Sequence, residues 1–347
     1  MISADIEYCE AALPKVSRTF APTIRMLPEG LRLQVTTAYL LCRIADTVED
    51  SEILSLNQKK EMLKAYSHIF LNKKKFALDS FLASVVQLPN VTADDRLVHD
   101  LEKVMRVYRS FSPVMQNHIG KWVVEMSMGM HKYAQSVHKK RFSFLKSMKE
   151  LDEYTYYVAG TVGYLLTELF SYYSQKITPP IRGKMEKLAG SFGKGLQLVN
   201  IIRDMTVDLR RGQSYIPEEL LHKYKLTRET IYEQKNAHLA EQLFNELIRN
   251  AVEHLDKALD YILLIPKEET RIRLFCMLPL FWAMRTLQKI QFNTLSLLSS
   301  EKIKVTRGMI RKEYFLALIS MRSNRLMRRH YQNLRKEFNP VLLSSSV

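Results

Sequence analysis

Apolar residues recur at helical spacing along almost the whole chain, and little interrupts them. Leu33, Thr37, Leu40, Leu41 and Ile44 fall on one side of a helix predicted from Leu31 to Asp50, because residues three and four apart share a face. Pro28-Glu29-Gly30 marks the turn before it. The same periodicity runs through Asn57 to Leu71, Asp94 to Phe111, and Pro113 to about Gln135, where Trp122, Met126 and Met130 keep the spacing. It continues from Leu151 to Ser174, from Ile181 to Arg211, and over 227–264, 267–293 and 306–337. Pro179-Pro180 is expected to end the helix that begins at Leu151, and 136–150 to be a basic loop with a helix start. Only 11 glycines and 11 prolines punctuate 347 residues, too few for the turns of a many-stranded sheet. Hydrophobic residues make up 46 %, enough to bury a sizeable core. The pattern predicts an all-α chain folded as a single domain over 1–347, with 306–347 a basic C-terminal helix and tail.

Two acidic segments sit inside these helices. Asp46, Glu49 and Asp50 project from one side of the first, and Asn200, Asp204 and Asp208 from another, with Gln197 extending that line upstream. Stacked like charges weaken a helix unless a cation bridges them. Apolar residues precede both segments, Ala38 to Ala45 and Leu196 to Ile202, which is not the setting of a solvated charged face. Buried carboxylates without partners are costly, so a metal or an arginine is expected beside them. Hard oxygen ligands that leave room for water and a substrate phosphate suit Mg²⁺. The spacing therefore points to Mg²⁺ held against a diphosphate. Arg18, Arg43, Arg203, Arg210 and Arg211 lie nearby and could meet phosphate oxygens in bidentate fashion. The alternative for Arg18 and Arg43 is an internal salt bridge to the same carboxylates. Tyr39, Tyr154, Tyr156, Tyr157, Phe170 and Phe275 could line an apolar cavity and face a cation, or pack as ordinary core.

The net charge of +16 suits nucleic acid, an anionic membrane or phosphorylated substrates. Basic residues are dispersed and no nucleic-acid-binding module is visible, so no nucleic-acid partner is expected. Cys9, Cys42 and Cys276 have neither disulfide-scaffold density nor metal spacing, which fits buried, reduced thiols in a cytoplasmic protein. No signal peptide is evident. The most apolar stretch, Leu274 to Met284, is too short to span a bilayer and contains Pro279. Arg322 to Arg335 reads either as a basic amphipathic helix resting on the inner face of a membrane or as a solvated terminal helix.

Four strings carry a resemblance. They are Ser17-Arg18-Thr19-Phe20, Tyr39 through Asp50, Tyr157-Val158-Ala159-Gly160-Thr161-Val162-Gly163, and Gln197 through Asp204. In this order and spacing the chain, over roughly residues 14–290, resembles the squalene/phytoene synthase family. Asp-Thr-Val-Glu-Asp at 46–50, Tyr-Val-Ala-Gly at 157–160 and Phe275-Cys276-Met277-Leu278-Pro279 are similar to the forms of its squalene synthase branch. Two departures stand out. Gln213 replaces a basic residue expected before Tyr215-Ile216-Pro217, and Asp208 lacks the Glu-Asp pair that many relatives carry after the second segment. The hydrophobic C-terminal anchor of eukaryotic members is also not seen in this sequence.

The resemblance implies an isoprenoid synthase fold, a large helical bundle around a central apolar cavity. It implies Mg²⁺-dependent head-to-head condensation of two farnesyl diphosphates, then NADPH-dependent reduction to squalene. The phytoene or dehydrosqualene synthase reaction, which shares the first half and lacks the hydride, is the alternative. Expected metal ligands are Asp46, Asp50, Asp204 and Asp208, with Glu49 and Asn200 in support. Ser17, Arg18, Phe20, Arg43, Gln197, Asn200, Arg203, Phe275 and Cys276 are expected to bind substrate, with Tyr157, Tyr39 and Arg43 acting in the chemistry. NADPH enters through the resemblance alone, since no Gly-x-Gly-x-x-Gly follows a strand. A monomer is expected. A non-catalytic relative serving as an assembly factor would be expected to have lost metal ligands, yet all four aspartates are present.

Overall fold

The computed structural model describes residues 2–72, 75–134, 145–210, 214–292 and 303–338. Helices dominate and no strand occurs among the described residues. Two compact units emerge, the first comprising Met1–Val137 and Thr161–Thr178, the second His138–Gly160 and Pro179–Val347.

In the first unit the chain opens with α1 (Ile2–Val16), α2 (Phe20–Ile24) and α3 (Glu29–Asp50). It continues with α4 (Leu56–Asn72), α5 (Lys75–Val85), α6 (Ala93–His99), α7 (Leu101–Ser110) and α8 (Pro113–Tyr133). Helix α3 lies at the centre, touching α1, α4, α6, α7 and α8. Of the face expected to be apolar, Thr37, Leu40, Leu41 and Ile44 are buried and Leu33 is only partly so, while Leu31, Val35, Ala38, Ala45 and Val48 widen the buried side. Where one helix was expected from Asp94 to Phe111 there are two. Asp100 closes α6 and opens α7 with φ −90° and ψ 15°, outside the helical region. Thr92 and Asp95 form a reciprocal capping box that starts α6.

The second unit begins with α9 (Met148–Thr155), which runs into a π-helical turn at Tyr156–Gly160. The chain then re-enters the first unit as α10 (Thr161–Tyr173). The single helix expected from Leu151 to Ser174 is therefore two helices joined by a wider turn. Pro179 and Pro180 start α11 (Pro179–Arg210), where proline's missing N–H costs nothing. Then come α12 (Glu218–Lys223), α13 (Ala237–Leu264), α14 (Thr270–Phe292), α15 (Arg307–Ser320) and α16 (Asn324–Lys336). Helix α11 packs along α13 and also touches α9, α14 and the π turn.

The C-terminal stretch expected as one helix breaks at Met321–Ser323, and Ser323 caps α16. Buried polar links tie both helices down. Glu313 of α15 is fully buried, 2.8 Å from Arg285 Nε and 2.6 Å from His330 Nε2. Arg273, also fully buried, donates to Asn324. Tyr331 and Arg335 both donate to Asp256. Met327, Tyr331 and Leu334 face inward. Met327 and Leu334 of the expected amphipathic helix are thus spent on the core, while Leu326 stays exposed. All three cysteines are buried and free.

Candidate active site

The last turns of α3 carry the first acidic segment. Arg43 donates from Nη2 to the Tyr39 hydroxyl at 3.1 Å, its guanidinium carbon 5.9 Å from the ring centre. Its Nη1 lies 3.8 Å from Asp46 Oδ2 and its Nε 3.6 Å from Asp94 Oδ1 on α6. Both that Nε and that Oδ1 are buried and make no hydrogen bond among the described residues. Burial pushes the Asp46 carboxyl up to about 7; Arg43 pulls it back, and Asp50 and Asp94 push it further up. Asp94 is raised as well, again chiefly by burial. One guanidinium therefore answers several acids, and the cluster favours a further cation.

Glu49 differs in burial from Asp46, which is partly accessible, and from Asp50, which is exposed. It is buried, and the fully buried Lys59 of α4 donates to its backbone carbonyl at 2.6 Å. Burial lowers the Lys59 pKa, while Glu49, Asp50 and Glu52 act to raise it. Ser17 accepts a hydrogen bond from the Phe20 N–H at 3.1 Å, turning the chain from α1 into α2. That turn sets Phe20 6.0 Å from the Tyr39 ring and leaves Arg18 exposed, with no acidic partner among the described residues. Ser17, Phe20, Tyr39, Arg43 and Asp46 are thus joined through contacts the sequence motif could only suggest.

The second segment lies on α11. Arg203 grips the adjacent Asp204 with two N–H donors, the Nε–Oδ1 distance being 2.9 Å. Asp204 and, one turn on, Asp208 raise the Arg203 pKa, the Asp204 hydrogen bond first. Asn200 donates to Gln197 at 3.5 Å. Gln197, Asn200, Arg203, Asp204 and Asp208 are all partly accessible. Phe275 and Cys276 instead lie within the buried stretch of α14, and burial raises the Cys276 thiol well above its ordinary value. Arg211 and Gln213 lie outside the described residues, as does most of the expected basic loop.

Tyr157 sits in the π turn, edge-on to Tyr156 at 5.1 Å between ring centres. Helix α11 presses against this turn. A Cβ on Gly193 would stand 1.9 Å from the Ala159 carbonyl oxygen, so no other residue fits without displacing the backbone. Lys194, next to it, pairs with Asp152 at 2.7 Å. Sequence reasoning missed Asp94, Lys59 and Gly193. Thr92 followed by Asp95 was a readable helix start, and Gly193-Lys194-Gly195 a readable close approach; nothing local pointed to Lys59.

Among the described residues no three His, Cys, Asp or Glu side chains gather into a closed metal cage. An aspartate pair at helical spacing, with water and substrate phosphate completing the shell, is the arrangement Mg²⁺ accepts. Asp46 with Asp50, and Asp204 with Asp208, have the spacing of such a pair.

The chain is all-α, with aspartates paired at helical spacing beside arginines on two long helices. The chain belongs to the squalene/phytoene synthase family, whose family model matches residues 13–309. It is 30 % identical over 286 residues to squalene synthase of Rattus norvegicus, covering 82 % of this chain and 64 % of that protein. It is likewise 30 % identical over 301 residues to squalene synthase of Saccharomyces cerevisiae, covering 87 % and 64 %. The chain thus spans less than two thirds of these curated relatives. Among solved structures, the complex of TcSQS with the ligand E5700 matches with a TM-score of 0.80 at 24 % identity, covering 97 % of this chain and 92 % of that one. A dehydrosqualene synthase in complex with a ligand matches at 0.61 and 19 %, covering 96 % and 98 %. The isoprenoid synthase fold is common to all of them.

Proposed function

We propose that this chain is a Mg²⁺-dependent prenyltransferase that condenses two farnesyl diphosphates head-to-head to presqualene diphosphate and reduces that product to squalene with NADPH. The observation that carries the reading is Asp46, a half-buried carboxylate held up to about 7 with Asp50 one turn away and Arg43 beside it. Asp204 and Asp208 repeat the pattern with Arg203. Bound there, Mg²⁺ would neutralise charge on the departing diphosphate.

The residues of this chain would do the rest. Arg43 and Arg203 would meet diphosphate oxygens, with Asn200 and Gln197 orienting the group beside Arg203. Ionisation of one farnesyl diphosphate releases diphosphate and leaves an allylic cation. The other's double bond attacks that cation, and loss of one proton closes the cyclopropane. Tyr157 is the residue we assign to that proton, with Tyr39, already hydrogen-bonded to Arg43, as the neighbour of the first diphosphate. Aromatic faces and the exclusion of water protect such cations. The hydride step rests on family membership and on the squalene synthase relatives; no strand among the described residues offers a dinucleotide sheet, so the nicotinamide would be held by helices.

A second reading, formation of dehydrosqualene or phytoene, is favoured by Gln213, whose neutral amide replaces an expected basic residue. Product analysis separates them. The full chain is incubated with farnesyl diphosphate and Mg²⁺, with and without NADPH, and in parallel with geranylgeranyl diphosphate. Squalene formed only with NADPH supports the first reading. Dehydrosqualene regardless of NADPH, or phytoene, would replace it by the second.

A further inference from the structure

Helix α15 is held to the second unit by one side only. Glu313, Ala317 and Ser320 are its buried residues, and Glu313 locks it to Arg285 and His330. The opposite side is open. Ile310 is 38 % exposed, Tyr314 37 %, Phe315 62 % and Ile319 55 %, and Leu326 at the start of α16 is 43 % exposed. At helical spacing these outward positions interleave with the exposed Arg307, Arg311 and Lys312. Arg322 and Arg325 extend the basic surface across the turn into α16. None of these five cations has an acidic partner among the described residues, and the only acid from 307 to 326 is the buried Glu313.

We infer that the outer face of α15, with the first turn of α16, is a docking surface for an anionic lipid bilayer. An aromatic and aliphatic face interleaved with unpaired basic residues is the composition that lies in a membrane interface, burying apolar side chains while cations meet lipid phosphates. A second copy of this chain is a poor occupant, because an isologous contact would set arginines against arginines. Nucleic acid offers no apolar surface for Phe315 and Ile319. The helix lies flat rather than crossing: no described helix is long and apolar enough to span a membrane. The inference stands on α15 and α16 alone and does not depend on the catalytic reading.

Vesicle co-sedimentation of the full chain tests it, using phosphatidylcholine vesicles with and without phosphatidylglycerol at low and high salt. Three variants are compared, each checked for unchanged helical circular dichroism and melting. Phe315→Ser with Ile319→Ser removes the apolar part; Arg307→Gln, Arg311→Gln and Lys312→Gln together remove the charge. Lys176→Gln, Lys184→Gln and Lys187→Gln together remove equal charge elsewhere on the surface. The expected result is salt-sensitive binding to anionic vesicles, weakened at least about tenfold by either α15 variant and kept by the control. Binding unaffected by Phe315→Ser with Ile319→Ser would overturn the inference, because attraction would then come from net charge alone. No preference for anionic vesicles, or a dimer that this same variant converts to monomer, would also overturn it.

Discussion

Gly193 and Ala159 lie closer than any side chain would allow, with a Cβ on Gly193 falling 1.9 Å from the Ala159 carbonyl oxygen. The π turn that joins α9 and α10 meets α11 at this glycine, and Tyr157 lies within the turn. Gly193→Ala should lower stability by about 1–3 kcal/mol and reduce farnesyl diphosphate turnover. Gly183→Ala on the same helix is the control, because nothing lies within 4 Å of its added Cβ. There the gain in helix propensity, about 0.5–1 kcal/mol, should stabilise the chain. Urea melts of the two variants shifting in opposite directions would bear this out.

Arg43 reaches Tyr39, Asp46 and Asp94 from one planar group. Arg43→Lys keeps the charge but cannot serve all three. We expect kcat/KM for farnesyl diphosphate to fall about 10–100-fold, roughly 1.4–2.7 kcal/mol, with unchanged circular dichroism. Asp94→Asn should act in the same direction and more weakly. Steady-state kinetics on both variants check the order.

His254 sets a pH dependence. Burial, helped by Lys194 and opposed by Asp152, lowers its pKa to about 4, and its Nδ1 is buried with no hydrogen-bond partner. The imidazole is neutral in the folded chain, whereas the unfolded chain takes up its proton below about 6.5. Its contribution is therefore fully present above about 6.5 and is lost as pH falls toward 4, by at most roughly 3 kcal/mol. Denaturant midpoints measured across that window should fall less steeply for His254→Gln than for the wild type.

Glu313 is fully buried between Arg285 and His330. Removing one member of such a group strands the others, so Glu313→Ala should cost about 3–5 kcal/mol. Differential scanning calorimetry would show the loss as a lower melting temperature, and limited proteolysis should then cut within α15 and α16 first.

Much of this was legible in the chain because helical period and burial are local signals. Thr37, Leu40, Leu41 and Ile44 were readable as a buried face, and so were the bounds of α3, α4, α8 and α14 to within a few residues. The breaks were not. Asp100 divides α6 from α7 through its own backbone angles, and the π turn after Thr155 packs against Gly193, more than thirty residues downstream. The N-terminal helix α1, whose Asp5 pairs with Arg106 at 2.8 Å, went unseen for the same reason, its partner lying far along the chain. At the site, residues grouped by one helix were found together: Asp46 with Arg43, Asp204 with Arg203. Those supplied by another helix, Asp94 and Lys59, were missed. Glu49 was grouped with its neighbours by spacing, whereas the structure buries it and sets Lys59 against its backbone.

The central claim is that the two aspartate-bearing helices hold Mg²⁺ for diphosphate release. Its most direct test is diphosphate released from farnesyl diphosphate by the wild type, Asp46→Asn and Asp204→Asn, with Mg²⁺ and with EDTA. The account predicts Mg²⁺-dependent release that falls at least about 100-fold in either variant while helical circular dichroism is unchanged. Release that persists in EDTA, or that survives both substitutions, would contradict it.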